Sequence, residues 1–189
     1  MPRPPVLPVI DWKAVFESGV PFDVWMEQAE SEENRAAIRD QLEARPLGAH
    51  EAAWLSALPR DVHVAAIAED WCGDVVRHVP VLERLARAAG KLRVRYITRE
   101  QHPDVFARFL TNGGEAIPKF VFLNDAFTEC GNWGPMPAAC RELIARGKAC
   151  GDVGAARKKV SLLYEADPEK RIVVDELLGC IAIACCAQP

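Results

Sequence analysis

The stretch Glu69-Asp70-Trp71-Cys72-Gly73-Asp74 follows directly on an apolar run, residues 62–68, and precedes a segment in which Val75, Val79, Leu82, Ala86 and Ala89 recur at intervals of three and four. The run reads as a buried strand, and the recurrence as a helix that stops near Gly90. The hexapeptide is then a strand-to-helix turn with a cysteine at the helix N-terminus. Unpaired backbone N–H groups and the macrodipole at such a position favour a thiolate, the nucleophilic form of the group. The neighbouring charges are mixed. Arg77 and His78 would support the anion and Glu69, Asp70 and Asp74 would oppose it, so the sequence leaves the acidity of Cys72 open. His78 reads as an exposed helical histidine, and His63 as a satisfied polar side chain on the strand.

Working outward, Leu92, Val94 and Tyr96 alternate with Arg93 and Arg95, which predicts a second strand. Val105, Phe106, Phe109 and Leu110 suggest a helix after His102-Pro103-Asp104, closed by a cap at Asn112-Gly113-Gly114. Residues 117–123 and 128–133 read as two strands joined by a turn at Asn124-Asp125. Residues 11–58 carry apolar residues at helical spacing punctuated by Pro21, Pro46 and Pro59, with Trp12, Trp25 and Trp54 as the contacts that attach these helices. From Pro137 onward the chain is mostly helical. The order strand, helix, strand, helix, strand, strand, helix specifies an α/β fold whose mixed sheet has parallel neighbours early and a hairpin late.

Trp71-Cys72-Gly73-Asp74, with Pro80 in the following helix and Ile117-Pro118 further on, resembles the thioredoxin superfamily. The likeness is nearest to uncharacterised thioredoxin family proteins that read EDWCGD, LTNGG, IPK and WGP in that order. Here these are residues 69–74, 110–114, 117–119 and 133–135. The resemblance covers about half the chain, residues 60–145. It implies a thioredoxin-like mixed sheet flanked by helices, with helical N- and C-terminal extensions at 1–58 and 151–189 packed as one globular unit with a domain at 59–150. It also implies a cis bond before Pro118, a catalytic Cys72, and a substrate groove formed by Trp71, Gly73, Asp74, Ile117 and Pro118. Pro80 predicts a kink in the active-site helix.

Two departures alter the expected chemistry. The second cysteine of a CxxC pair would stand at position 75, which is Val75. The upstream position where the resemblance implies a buried carboxylate is Ala66. Both argue against dithiol reduction and leave monothiol exchange, in which Cys72 forms a mixed disulfide and a second thiol releases it. The candidates for an internal second thiol are Cys130, Cys140, Cys150, Cys180, Cys185 and Cys186, with Cys130, Cys185 and Cys186 as the resolving thiols singled out, and a small external thiol such as glutathione is an equal alternative. Cys140, Cys150 and Cys180 complete an odd count of seven cysteines. The tail, residues 180–186, invites a metal reading, but its spacing matches no zinc pattern and Val174, Leu177, Leu178, Ile181 and Cys185 form an apolar helix face, so packing is expected and no metal or cofactor.

The composition sets the outer limits. With 189 residues, half of them apolar and about a quarter charged, the chain has enough material for a core without staples. A net charge of −4 and no long run of Lys or Arg argue against nucleic acid. Residues 1–11 hold four prolines and no apolar h-region, and the longest uncharged run, 177–187, is too short to cross a bilayer. A cytoplasmic protein acting on protein or low-molecular-weight thiols and disulfides is the expectation, with oligomeric state open. The alternative is a non-catalytic thioredoxin-fold binding module.

Overall fold

The computed structural model describes residues 7–44 and 46–186. The expectations for the first six residues and for the end of the apolar tail at 187 lie outside them. Four helices open the chain: α1 (Trp12–Ser18), α2 (Phe22–Glu27), α3 (Glu32–Glu43) and α4 (Ala49–Ser56). Their starts are written locally. The Asp11 carboxylate accepts from the Ala14 N–H and the Ser31 hydroxyl from the Asn34 N–H, each satisfying a backbone donor that a helix leaves unpaired. Trp12 and Trp25 are buried as expected, whereas Trp54 is 37% exposed and Leu55 beside it fills the core instead.

Strand β1 (Val62–Ile67) leads through the hexapeptide into α5 (Gly73–Ala88), and β2 (Leu92–Ile97) returns parallel to β1. After a short helix, α6 (Pro103–Phe106), a single 3-10 turn at Ala107–Phe109 carries the chain toward β3 (Lys119–Leu123). β3 pairs antiparallel with β1, and β4 (Glu129–Trp133) pairs antiparallel with β3, so the sheet order is β2-β1-β3-β4. The mixed sheet is the one the sequence predicts. Helices α7 (Ala138–Ala149), α8 (Val153–Ala166) and α9 (Arg171–Ala184) complete the chain, and α9 lies on β4, β3 and α5. One connected core draws residues from Trp12 through to Cys185.

The Asn112-Gly113-Gly114 segment corrects its predicted role. It is a two-residue turn, not a helix cap. Asn112 and Gly113 both have positive φ, and Thr111 and Gly114 exchange backbone hydrogen bonds of 2.9 and 3.0 Å across it. A helix cannot reach the turn because the 3-10 segment ends at Phe109 and Leu110 is already extended.

Pro80 sits inside α5 and has no N–H to give the carbonyl of Val76 four residues back. The structure answers that loss from outside the helix. The Gln41 side-chain amide on α3 donates to the Val76 carbonyl at 3.2 Å, and Lys170 Nζ, just before α9, donates to the Arg77 carbonyl at 2.6 Å. Lys170 also donates to Gln41 Oε1. Helices α3 and α9 are thus fastened to α5 where Pro80 breaks its hydrogen-bond ladder.

A thiol at the N-terminus of the central helix

Each residue of the hexapeptide has a separate task. Glu69 accepts from the Arg99 backbone N–H and from Arg99 Nε, both at 3.0 Å, and from Trp71 Nε1 at 3.0 Å. Asp70 is buried and its carboxylate accepts from the Ser31 N–H at 2.8 Å, while its carbonyl accepts from Asn34 Nδ2 at 2.9 Å, joining the loop to the start of α3. These two acidic residues hold the loop in place. Trp71 is 52% exposed beneath the Arg99 guanidinium, which lies 5.1 Å from its ring centroid. Gly73 is exposed, and a Cβ there would touch nothing, so the surface in front of the cysteine is open.

Cys72 is the residue that precedes α5. Its Sγ makes no capping hydrogen bond, yet the N–H groups of Asp74 and Val75 lie close enough to favour the thiolate. Burial outweighs them and pushes the thiol above its ordinary value of 9.0, Asp74 adds to the rise, and Arg99 opposes it. The thiol donates instead to the Ile117 carbonyl at 3.4 Å. The open question of acidity is answered toward the protonated form. The cation that bears on Cys72 is Arg99; Arg77 and His78, the two the sequence suggests, are engaged elsewhere.

The Ile117–Pro118 bond is cis, and so is Gly134–Pro135. The two meet. Gly134 has φ +118°, and a Cβ on it would lie 2.0 Å from the Pro118 carbonyl oxygen, so only glycine lets the chain pass there. Lys119 Nζ donates to the Gly134 carbonyl at 2.8 Å, and burial lowers its pKa to about 8. The IPK and WGP motifs are therefore two sides of one backbone crossing next to Cys72. Ile117 is buried and contributes its carbonyl to the site.

The first turns of α5 carry a polar cluster whose partner on α8 no local signal in the sequence announces. Burial raises the pKa of Asp74, in the first turn, to about 6 against the pull of Arg77 and the Tyr164 hydroxyl. His78 is completely buried, which corrects the exposed reading. Its Nε2 lies 3.3 Å from the Tyr164 hydroxyl and 4.0 Å from Asp74 Oδ1, and its ring meets the edge of Trp133. Burial and the charges of Lys170 and Arg77 hold it neutral, well below the usual histidine range. Arg77 stacks on the Tyr164 ring at 4.1 Å. Cys140 on α7 faces the same hydroxyl and the same carboxylate, and burial raises its pKa.

The remaining cysteines fall elsewhere. The β3–β4 register sets Phe120 against Trp133 at the site end and places Cys130 near Phe122 and Leu123, which pair with Val64 and His63 at the opposite end of β1. α9 runs the same way: Glu176 accepts from Trp133 Nε1, and Cys186, two residues past the helix, bears on Cys130. Cys130, Cys185 and Cys186 are thus grouped at the far end of the sheet. The expected role of these three as resolving thiols does not fit this arrangement, because the strand register holds them several residues of strand away from Cys72. Cys185 is packed into the core, as the apolar-face reading has it. The cysteine brought toward the site is Cys140, and it is 3% exposed. Among the described residues no group of His, Cys, Asp and Glu side chains is arranged to hold a metal ion, and no helix is long and apolar enough to cross a membrane.

Comparison with known proteins agrees with this geometry. A family described as Thioredoxin matches residues 19–152. No curated protein matches the chain. Among solved structures, a protein of unknown function from Pseudomonas aeruginosa superposes with a TM-score of 0.66 at 18% identity, over 93% of this chain and 97% of that one. An HIV epitope-scaffold protein superposes with a TM-score of 0.61 at 19% identity, over 79% of this chain and 99% of that one. At these identities the superpositions speak to the fold.

Proposed function

The chain belongs to the thioredoxin family, and from that premise we propose that it carries out monothiol thiol–disulfide exchange through Cys72. The observation that supports this most directly is the placement of Sγ: before the first turn of α5, half-buried, and 3.4 Å from the carbonyl of Ile117 in the cis Ile117–Pro118 pair. A disulfide entering over Trp71, Gly73 and Pro118 meets that sulfur. Its backbone-binding wall is the Ile117–Pro118 segment, and Asp74 stands on the near side of the helix.

The thiolate of Cys72 attacks one sulfur of the incoming disulfide, a mixed disulfide forms, and the other sulfur leaves as a thiol. Val75 is wholly buried in the core, so no second thiol stands one turn along to release the product. The substrates are protein or low-molecular-weight disulfides, and release falls to an external thiol. The protein works in a reducing, cytoplasmic environment where such thiols are abundant. Residues 59–150 form the thioredoxin-like unit, with 1–58 and 151–189 as helical extensions.

A second reading, a binding module that keeps the groove without the chemistry, is favoured by the burial that raises the Cys72 pKa. One experiment separates the two. Alkylation of Cys72 is followed by peptide mapping against pH, and mixed disulfides with oxidised glutathione are sought by mass spectrometry, with Cys72→Ser as control. Exchange predicts a glutathione adduct on Cys72 that added thiol removes; a Cys72 that forms no adduct refutes the catalytic reading and leaves the groove as a binding surface.

A further inference from the structure

We propose that the cleft between α7 and the segment leading into the cis Ile117–Pro118 bond is a subsite for a carboxylate on the substrate, read by Arg141 and Lys148. It rests on the monothiol reading and deepens it by naming the substrate class, a disulfide with an anionic arm. The cleft encloses about 200 Å³. One wall is drawn from residues 111–116 and ends one residue before Ile117, whose carbonyl meets Cys72 Sγ at 3.4 Å. The other wall is α7, joined by Pro135 and Met136, which follow the second cis bond. Asp74, two residues after Cys72, also lines the cleft, so it opens beside the sulfur.

Its two cations have no acidic partner. Arg141 and Lys148 are seven residues apart on α7, two turns along one face with Ile144 between them, and all three line the cleft. Among the described residues neither cation forms an ion pair, although acidic residues outnumber basic ones 27 to 23 in the chain. Arg146, on the same helix but outside the cleft, is paired with Glu142. Arg141 gives Nη1 to the carbonyls of Gly134 and Met136 at 3.4 and 2.7 Å, which fixes the guanidinium and leaves its other donors for a ligand. Of the two acidic residues in the lining, Glu115 is already engaged by Arg99 at 3.2 Å. The other, Asp74, decides where on the ligand the charge must sit. A carboxylate next to the disulfide would face Asp74 and be repelled, whereas one several bonds out reaches the cations of α7.

The arm that seats in the cleft is the one that stays on Cys72. The Cys72 thiol gives its proton to water, and its sulfur bonds to the sulfur of the seated arm. The other sulfur leaves with the electron pair of the broken S–S bond and takes a proton from solvent. An external thiol, having lost its proton, attacks the sulfur of the seated arm; Cys72 leaves as thiolate and is reprotonated. The arm departs as a disulfide with the external thiol, so one disulfide is exchanged for another and the protein is unchanged.

The test measures the rate at which the full chain forms a mixed disulfide on Cys72, by mass spectrometry, with three disulfides: dithiodibutyrate, which is anionic, hydroxyethyl disulfide, which is neutral, and cystamine, which is cationic. The readout is the ratio of the anionic to the neutral rate, which cancels any change in the reactivity of Cys72 itself. Lys148→Glu reverses an exposed charge and lowers that ratio by about tenfold, and it raises the ratio of the cationic to the neutral rate. Arg141→Gln lowers the anionic ratio in the same direction, and its neutral rate reports whether the crossing at Gly134 has survived. Arg146→Glu makes the same change of net charge outside the cleft and leaves the ratio within about twofold of wild type. A pair of cystine-linked peptides, with Glu or Gln three residues from the cysteine, names the source of the carboxylate. Preference for the Glu peptide that depends on Lys148 identifies a protein segment; dependence confined to dithiodibutyrate identifies a low-molecular-weight substrate. An anionic ratio unchanged in Lys148→Glu, or lowered as much by Arg146→Glu, overturns the subsite while the neutral rate still upholds the monothiol reading. If wild-type Cys72 reacts with none of the three disulfides, the monothiol reading itself has failed, and the subsite with it.

Discussion

Replacing Glu83 with glutamine will stabilise the protein above neutral pH and leave it nearly unchanged in acid. Glu83 lies on α5, is 6% exposed, and accepts a 2.6 Å hydrogen bond from the Tyr96 hydroxyl on β2. Burial raises its pKa from 4.5 to about 7, the Tyr96 hydrogen bond and Arg87 oppose the rise, and Asp23 adds to it. The folded chain therefore keeps a proton that the unfolded chain has released over that interval. Stability contributed by the protonated carboxyl is complete below pH 4.5, declines as pH rises toward 7, and is gone above it. At about 1.4 kcal/mol for each pH unit the whole decline is about 3 kcal/mol. Glutamine keeps an acceptor for Tyr96 and cannot ionise. Urea denaturation followed by tryptophan fluorescence, from about pH 4 to about pH 8, should give a variant-minus-wild-type difference near zero at the acid end and a gain of about 2–3 kcal/mol at the alkaline end. Asp74 contributes a slope of its own between 3.8 and about 6, which the difference between the two proteins removes. A difference that is the same at both ends, or a glutamine variant less stable in alkali, would refute the reasoning.

Gly134→Ala forces a Cβ to within 2.0 Å of the Pro118 carbonyl, so it should lower stability by about 1–3 kcal/mol and slow mixed-disulfide formation at Cys72, both measurable on one preparation by denaturation and by adduct mass. Leu177→Ala, fully buried on α9, should cost about 2–5 kcal/mol in the same denaturation assay; a loss below 1 kcal/mol, by the same reasoning, would show that α9 is not part of the cooperative core. Gln41→Ala leaves the Val76 carbonyl without its donor and should cost about 1–2 kcal/mol, but markedly less in a Pro80→Ala background, where the helix supplies its own N–H. Val75→Cys puts a second thiol one helical turn from Cys72, where i and i+3 side chains meet; oxidation should then close an internal disulfide, and glutathione adducts on Cys72 should become short-lived.

What the sequence made legible is local, and what it missed is tertiary. The β1–α5 unit could be read because a continuous apolar run is followed by a three-and-four recurrence, and both patterns survive folding unchanged. The cysteine at the helix start, the two strands of the hairpin and the apolar face of α9 follow from the same kind of pattern. The 112–114 turn was misread because Asn-Gly-Gly serves a helix end and a tight turn equally well, and the choice depended on where the preceding 3-10 turn ran out. His78 looked exposed because its neighbours Arg77 and Asp74 are charged. Its place three after Val75 and four before Leu82 puts it on the apolar face of α5, and Trp133 from β4 and Tyr164 from α8, residues 55 and 86 positions away, cover it there. The site partners Arg99 and Tyr164 come from distant elements that no local pattern in the sequence joins to Cys72. Cys130, Cys185 and Cys186 looked available because a cysteine's distance from Cys72 depends on strand register, which the sheet fixes at the far end.

Burial acts on both ends of the first turn of α5. Val75 has no exposed surface, and withdrawal from water raises the Cys72 pKa. Exchange with a disulfide needs the thiolate whether or not a second thiol stands nearby, so a Cys72 kept protonated attacks slowly. The same protonation protects it from peroxides, which act on thiolates. The C-terminal helices bear on the first turns of α5 as well as on the core, since Tyr164 from α8 meets His78 Nε2 at 3.3 Å and Lys170, at the start of α9, donates to the Arg77 carbonyl, so the helix that Cys72 precedes is held from both.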